Sequence, residues 1–124
     1  MKGILFIVAT PIGNLDDITF RAVEILKGID IVLAEDTRHS KKLLKHLNIA
    51  KPIRAFQEHN EREKTKASID ELRSGKSIAL ISDAGTPLIS DPGYFLVAQA
   101  KKEGLRVVPI PGASALITAL SASG

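Results

Sequence analysis

Short runs of apolar residues alternate along this chain with longer stretches in which apolar residues recur at every third or fourth position. The continuous runs predict buried strands at 4–9, 31–34, 53–56, 77–82 and 106–110. The periodic stretches that separate them predict amphipathic helices. This alternation is typical of an α/β domain, and it predicts a mostly parallel five-stranded sheet with helices on both faces.

Most of the predicted helices begin or end at residues that favour those positions. Asn14, with Asp17 three residues later, predicts the start of the first helix, and Gly28 predicts its end. Asp91 followed by Pro92 predicts the start of the fourth helix. Helices are therefore predicted at 15–29, 40–47, 60–73, 94–103 and 113–122, the third capped by Asn60 with Glu63.

The last predicted helix, at 113–122, has almost no polar face. A helix that is apolar nearly all round is normally buried. In a single domain of 124 residues something further must cover it. The sequence therefore predicts either a second domain that is absent from this chain or a homodimer.

Composition excludes several classes of protein. The chain has no cysteine, which excludes a disulfide framework and cysteine-based metal or nucleophile chemistry. No apolar run is long enough for a membrane span or a signal peptide, so a soluble cytoplasmic protein is expected. The net charge of +3 is compatible with a polyanionic partner. His39, His46 and His59 form no helical metal-binding pair, so they are interpreted as surface or capping residues and no metal site is predicted.

The twelve-residue connection Ser82–Gly93 is longer than a domain of this size needs. It follows the fourth predicted strand, and ligands of open α/β sheets bind at the carboxyl ends of strands. Turn-rich or charged loops at 10–14, 35–38 and 109–115 follow three other strands. We therefore expect the four loops to converge at one edge of the sheet and form a binding site. The structural alternative is an Asp-rich turn followed by a helix cap.

Acidic side chains follow two of the predicted strands. Glu35 and Asp36 end the second strand, and Asp83 ends the fourth. Carboxylates there can offset a cationic ligand, accept a hydrogen bond from a ribose or act as a base. Asp83 and Asp91 can instead bond to neighbouring loop amides. The chain lacks both the dinucleotide-binding glycine pattern and the phosphate-binding P-loop, which argues against the usual sites of those kinds.

A basic row lies at helical spacing after the second strand. Its members are Arg38, Lys41, Lys42 and Lys45, on the side opposite the leucines of the same helix. Such a row can bind a phosphate backbone. It can also be an ordinary solvated helix face, so both interpretations remain open here.

Four stretches together resemble the tetrapyrrole-methylase superfamily of S-adenosylmethionine-dependent methyltransferases. They are residues 8–15 (VATPIGNL), 34–38 (AEDTR), 82–93 (SDAGTPLISDPG) and 108–115 (VPIPGASA). The resemblance covers essentially the whole chain in order. The first two stretches favour the branch that methylates a cytidine ribose 2'-hydroxyl in small-subunit (16S) rRNA over the porphyrin-methylating relatives.

The resemblance implies a two-domain enzyme in which residues 1–124 form the N-terminal methyltransferase domain. S-adenosyl-L-methionine would lie in the cleft between the domains, and small-subunit rRNA or the ribosomal subunit would be the partner. The cofactor contacts that it implies are Pro11, Ser82, Asp83, Ala84, Gly85, Thr86, Pro111, Gly112 and Ala113.

For this chemistry Glu35 and Asp36 are the candidate bases, and the basic row supplies the candidate RNA contacts. Two alternatives remain open. One is a tetrapyrrole-type methyltransferase of small molecules, and the other is a non-catalytic α/β binding or assembly module.

Overall fold

The computed structural model describes residues 1–88 and 92–124. The strands are β1 (Ile4–Val8), β2 (Ile31–Ala34), β3 (Ile53–Ala55), β4 (Ile78–Ile81) and β5 (Arg106–Ile110). The helices are α1 (Phe20–Gly28), α2 (Thr37–His46), α3 (Glu61–Arg73), α4 (Tyr94–Lys102) and α5 (Ala115–Ser121). All neighbouring strands pair in parallel, in the order β3-β2-β4-β1-β5. The predicted five-stranded α/β sheet is therefore confirmed.

Strand β4 occupies the centre of the sheet, and all four of its residues are buried. Its Ile78 lies opposite Leu5 of β1 on one side and Ile31 of β2 on the other. A strand with neighbours on both sides and helices on both faces reads as a continuous apolar run, as this one does.

Alternate residues of the strands pack against helices on opposite faces of the sheet, as the two-residue period of a strand requires. Leu5 and Leu33 belong to one apolar core, which α3 and α4 cover. Val8 and Val32 belong to the second core, which α1 and α2 cover. The domain thus has three layers, and its strand ends are free to carry loops at the sheet edge.

The first predicted helix is wrong at its start. Asn14 does cap a turn, because its side chain accepts from the main-chain N–H of Asp16 at 3.0 Å, but this is a short 3-10 turn over Leu15–Asp17. The chain is then extended at Ile18 (φ −89°, ψ 140°). Thr19 caps α1 by accepting from the N–H of Ala22 at 3.0 Å. Two capping residues five positions apart therefore divide one predicted helix into two elements.

Helix α2 begins three residues earlier than predicted. Asp36 caps it, with one carboxylate oxygen accepting from the N–H groups of Arg38 at 3.0 Å and His39 at 3.4 Å. Asn60 is the N-cap residue of α3, as predicted, but its side chain makes no capping hydrogen bond to that helix. The side-chain oxygen of Asn60 accepts from the N–H of Gln57 at 2.8 Å and closes a preceding 3-10 turn.

The fourth helix starts at Tyr94, as its predicted bounds have it, but the Asp91-Pro92 start signal predicted for it is wrong. Helix α4 begins at Tyr94 after Gly93, so Pro92 is not its first residue, and Asp91 lies outside the described residues. The carboxylate of Glu61 on α3 accepts a hydrogen bond from the main-chain N–H of Gly93 and so caps the N-terminus of α4. A side chain 32 residues away thus replaces the local cap that was predicted.

Helix α5 has no buried residue in this chain. Leu116, Ile117 and Leu120 are 66%, 61% and 67% exposed. The described residues therefore leave this apolar face uncovered, in agreement with the expectation that something further must cover it, and what covers it stays a prediction. Across 1–88 and 92–124, every helix is too short or too polar to traverse a bilayer.

Candidate functional site

The loops that follow β1, β2, β4 and β5 meet at the carboxyl edge of the sheet, as predicted. Thr10 and Gly85 form an antiparallel bridge in which the N–H of each donates to the carbonyl of the other at 2.9 Å. The hydroxyl of Thr86 donates to the carbonyl of Ala113 at 2.9 Å. The N–H of Asp36 donates to Oδ1 of Asp83 at 3.2 Å. Direct hydrogen bonds therefore join the four loops.

Two glycines allow these loops to approach one another closely. Gly85 has φ +80°, a backbone conformation that other residues rarely adopt. A Cβ atom on Gly112 would lie 2.9 Å from the Cβ of Ala9. The two glycines thus allow close packing of the loops, and of the two only Gly112 is exposed to solvent.

The predicted cofactor residues divide by exposure. Three of them are buried and shape the loops, two are partly buried, and four present atoms to solvent. The buried residues are Pro11, Ser82 and Gly85, the partly buried ones are Thr86 and Ala113, and the exposed ones are Asp83, Ala84, Pro111 and Gly112. The structure thus places all nine in the loops that meet at this edge, while their contacts with a cofactor stay a prediction.

Ser82 has a structural contact that the sequence did not reveal. Its hydroxyl lies 3.1 Å from the carbonyl of Ala84 and 3.2 Å from that of Gly85, and its own carbonyl accepts from the hydroxyl of Thr10 at 3.4 Å. These hydrogen bonds of Ser82 stabilise the beginning of the long connection and hold it against the residues that follow β1.

A polar hollow of about 400 Å³ lies beside these loops. Its lining includes both candidate bases, and it also includes Asp83 and the first residue of the basic row. The lining residues are Glu35, Asp36, Thr37, Arg38, Ala55, Gln57 and Asp83. Only one of the seven is apolar, so the hollow suits a ligand with hydroxyl groups or charge.

Gln57 is a site residue that the sequence analysis missed. Its Nε2 donates to the carbonyl of Glu35 at 3.1 Å and fixes the main chain at the end of β2. Gln57 lies two residues beyond β3, the one strand whose end was not considered. The same argument about carboxyl ends would have found it.

The two candidate bases differ in their surroundings. Main-chain N–H groups of His39 and then Arg38 donate to the carboxylate of Asp36 and lower the pKa of this carboxyl below its ordinary value. A carboxylate held in its ionised form by such bonds is a weaker proton acceptor. Glu35 is partly buried and lines the same hollow.

The basic row is exposed along α2, with Leu43 and Leu44 buried on the opposite side of the helix. Its first member, Arg38, lines the polar hollow. The row therefore starts at the candidate site and continues away from it. The exposure is compatible with both of its interpretations.

Metal ligands are not grouped in the part of the chain that the structure describes. There, no three His, Cys, Asp or Glu side chains are arranged to hold a metal ion. His39, His46 and His59 are each exposed, in agreement with their interpretation as surface residues.

Two relatives are similar to this chain along essentially its whole length. It is 60% identical over 124 residues to the "Ribosomal RNA small subunit methyltransferase I" of Haemophilus influenzae, covering 100% of this chain and 44% of that protein. It is 54% identical over 123 residues to the protein of the same name from Escherichia coli O157:H7, covering 99% and 43%. The chain thus spans less than half the length of these relatives.

Solved structures of two other enzymes share the fold. The uroporphyrin-III-C-methyltransferase of Thermus thermophilus superposes with a TM-score of 0.76 at 23% identity, covering 98% of this chain and 53% of that one. A cobalt precorrin-4 methyltransferase superposes with a TM-score of 0.76 at 22% identity, covering 97% and 50%. At these identities the likeness concerns the fold alone.

A family model matches nearly the whole chain. It is the model of the tetrapyrrole (corrin/porphyrin) methylases, and the match covers residues 5–124. The match extends from β1 to the end of α5 and includes every loop of the candidate site. The chain therefore belongs to the tetrapyrrole (corrin/porphyrin) methylase family.

Proposed function

We propose that this chain is the N-terminal domain of an S-adenosylmethionine-dependent methyltransferase that acts in the cytoplasm on small-subunit rRNA. The reaction that we propose is methylation of a cytidine ribose 2'-hydroxyl. The observation that carries the proposal is the 60% identity, over every residue of this chain, to a relative named as a small-subunit rRNA methyltransferase. The activity is proposed for a longer protein, because the chain spans 44% of that relative.

The residues at the carboxyl edge fit this cofactor. Asp83 is exposed there, and its carboxylate can accept from ribose hydroxyls or lie near a positive charge. Gly85 and Gly112 let the loops that carry Asp83 pack closely, because a Cβ atom would lie 3.2 Å from Cγ2 of Ile12 at the first and 2.9 Å from the Cβ of Ala9 at the second. When bound, the cofactor supplies a methyl group activated by a positively charged sulfonium.

Glu35 is the better candidate for accepting the proton of the ribose hydroxyl. A secondary hydroxyl is weakly acidic, so a carboxylate within hydrogen-bond reach helps to remove its proton. Asp36 caps α2, and the N–H groups of His39 and then Arg38 lower the pKa of its carboxyl, which makes it the weaker proton acceptor of the two candidates lining the hollow. We therefore assign the proton-accepting role to Glu35 and a positioning role to Asp36.

The character of the hollow favours RNA over a tetrapyrrole as substrate. A large flat tetrapyrrole needs a broad apolar trough, whereas the lining of this hollow has Ala55 as its single apolar member. Arg38 at its margin begins the exposed basic row. A polar site with a positive margin suits a nucleotide in a phosphate backbone.

The test uses the full-length protein, small ribosomal subunits and S-adenosylmethionine labelled in its methyl group. We expect label in the rRNA and a 2'-O-methylcytidine after nuclease digestion. Titration calorimetry with the cofactor should give a dissociation constant that Asp83→Asn raises about tenfold, which is the loss of one charged hydrogen bond. Asp70→Asn, an exposed carboxylate change on α3, is the matched control and should leave it unchanged.

The variant Glu35→Gln separates binding from chemistry. Loss of a general base typically lowers kcat by about 100-fold or more, and we expect the dissociation constant for the cofactor to change little. Methylation of a porphyrin precursor instead of rRNA would support the small-molecule alternative. Absence of cofactor binding would support the non-catalytic module.

A further inference from the structure

Positive charge is concentrated in one short part of this chain. Residues 37–57 contain six Lys or Arg and no Asp or Glu, so the other 103 residues contain eleven basic and fourteen acidic side chains. This segment therefore carries +6, and the remainder of the chain carries −3. It consists of α2, the connection to β3, and β3 with the two residues after it. Clustering of this kind is the electrostatic footprint of a nucleic-acid surface.

One of the six basic residues is neutralised within the domain. Arg54 forms an ion pair with Glu71 of α3. The four lysines of the segment, Lys41, Lys42, Lys45 and Lys51, take no part in the ion pairs that Glu24, Asp70, Glu71 and Glu103 form within 1–88 and 92–124. Their charges are thus available to an external anion.

Three of these lysines surround a second hollow, at the far end of α2. It has a volume of about 610 Å³, and Lys41, Lys45 and Lys51 contribute to its lining together with Asn48. Lys51 is partly buried there, just before the start of β3. Positive side chains around a concave surface focus the potential and favour an anion such as a phosphate.

The far hollow and the candidate site lie at opposite ends of one helix face. Arg38 lines the polar hollow at the carboxyl edge, whereas Lys45 lines the far hollow seven residues later. Seven residues of α-helix rise by about 10 Å. Lys41 lies between Arg38 and Lys45 on the same face, three residues after Arg38, and is the first residue of this face to line the far hollow.

We propose that the RNA strand leaves the candidate site along α2 and that Lys41, Lys45 and Lys51 bind its phosphates in the far hollow. This inference rests on the proposed function, since it assumes that the substrate is RNA. It goes further by assigning Lys51 a role and by giving the strand a direction across the domain. The competing explanation is that Lys45 only offsets the negative end of the α2 dipole and stays solvated.

The test measures RNA binding by the full-length protein apart from methyl transfer. The probes are small ribosomal subunits and a single-stranded RNA of about 20 nucleotides, long enough to contact both ends of the helix. The variant Lys41→Gln/Lys45→Gln/Lys51→Gln should bind both probes at least about tenfold more weakly at moderate salt. The slope of log affinity against log salt should become shallower by about two to three, which is about 0.7 to 1 for each of the three lysines.

The matched control removes the same charge elsewhere, as Lys66→Gln/Lys101→Gln/Lys102→Gln on the exposed sides of α3 and α4. It should keep the affinity and salt slope of the unchanged protein, and both triple variants should bind S-adenosylmethionine normally. Equal affinity and slope for the two triple variants would overturn this inference while leaving the proposed function intact. If the unchanged protein binds neither probe, the proposed function itself fails.

Discussion

Glu61 and Gly93 are joined across the domain by a hydrogen bond between a side chain and the main chain. Oε1 of Glu61, in the first turn of α3, accepts from the N–H of Gly93 at 2.8 Å and also from that of Phe95 at 3.1 Å. A carboxylate suits this place because the N-terminus of a helix carries partial positive charge. The contact fixes the exit of the long connection that begins at Ser82.

Replacement of Glu61 should therefore destabilise the domain through α4. We expect Glu61→Ala to lower the free energy of unfolding by about 1–2 kcal/mol, the usual cost of a lost helix cap. Glu61→Gln keeps an acceptor oxygen and should cost less. Glu63→Ala removes an exposed carboxylate from the same turn and serves as the control, and urea denaturation measures all three variants. Equal losses for Glu61→Ala and Glu63→Ala would show that the contact contributes nothing.

Gly93 should tolerate no side chain. Its φ is +136°, and a Cβ atom would lie 2.4 Å from Cδ2 of Leu88 and 2.7 Å from Cδ2 of Leu80. Gly93→Ala should lower the free energy of unfolding by about 1–3 kcal/mol, because strain and a clash act together. Gly28→Ala is the control, since a Cβ atom there meets nothing within 4 Å. A melting temperature for Gly93→Ala at or above that of Gly28→Ala would contradict this account.

The cap of α2 should make stability depend on pH. The pKa of Asp36 is lowered in the folded state, first by the N–H of His39 and then by that of Arg38. As the pH falls, this carboxyl protonates in the unfolded chain before it does so in the folded one, so its contribution is lost as the pH passes through the folded-state pKa. Asp36→Ala should be less stable than the unchanged protein near neutral pH, and the difference should shrink in acid.

Denaturation series at several pH values would measure this effect. Asp36→Asn can still cap the helix through its amide oxygen, but this side chain does not titrate. The free energies of unfolding of Asp36→Asn and Asp36→Ala should therefore differ by an amount that changes little with pH. If the free energies of unfolding of Asp36→Ala and the unchanged protein differed more in acid than at neutral pH, the predicted direction of the pH dependence would be wrong.

The exposed face of α5 should drive self-association of the 124-residue chain. Leu116, Ile117 and Leu120 are each more than 60% exposed, and contiguous apolar surface commonly marks an interface. Leu116→Ser/Leu120→Ser should therefore reduce the sedimentation coefficient at high protein concentration. Tyr94→Ser, which removes an even more exposed aromatic side chain from α4, should leave the sedimentation coefficient unchanged. A chain that sediments as a monomer with and without these changes would show that α5 makes no such contact.

The strands were largely predictable because their signals are local. β2 and β5 have the predicted bounds, since each is a short apolar run between polar or turn residues. The convergence of the strand-end loops followed from parallel topology alone.

The helix starts were less predictable because more than one nearby residue is suited to the N-cap position. Asn14 and Thr19 are both good caps, and only the packed structure shows that each is used by a different element. Asn60 and Glu61 accept hydrogen bonds from the N–H groups of Gln57 and Gly93, and neither of these donors belongs to α3. The sequence pattern of α3 therefore could not indicate them. Within the site, the roles of Ser82 and Gln57 come from contacts that the residue types alone do not reveal.

The bridge between Thr10 and Gly85 has a consequence for the dynamics of the binding edge. Its two hydrogen bonds extend from the ends of β1 and β4, which are buried neighbours in the sheet. Opening the bridge alone would leave the carbonyls of a buried pair without partners, so this edge should open together with the sheet rather than by itself. The amide hydrogens of Thr10 and Gly85 should accordingly exchange with solvent as slowly as those of β4. A ligand that binds at this part of the edge meets main chain that is already ordered, and its binding loses little conformational entropy there.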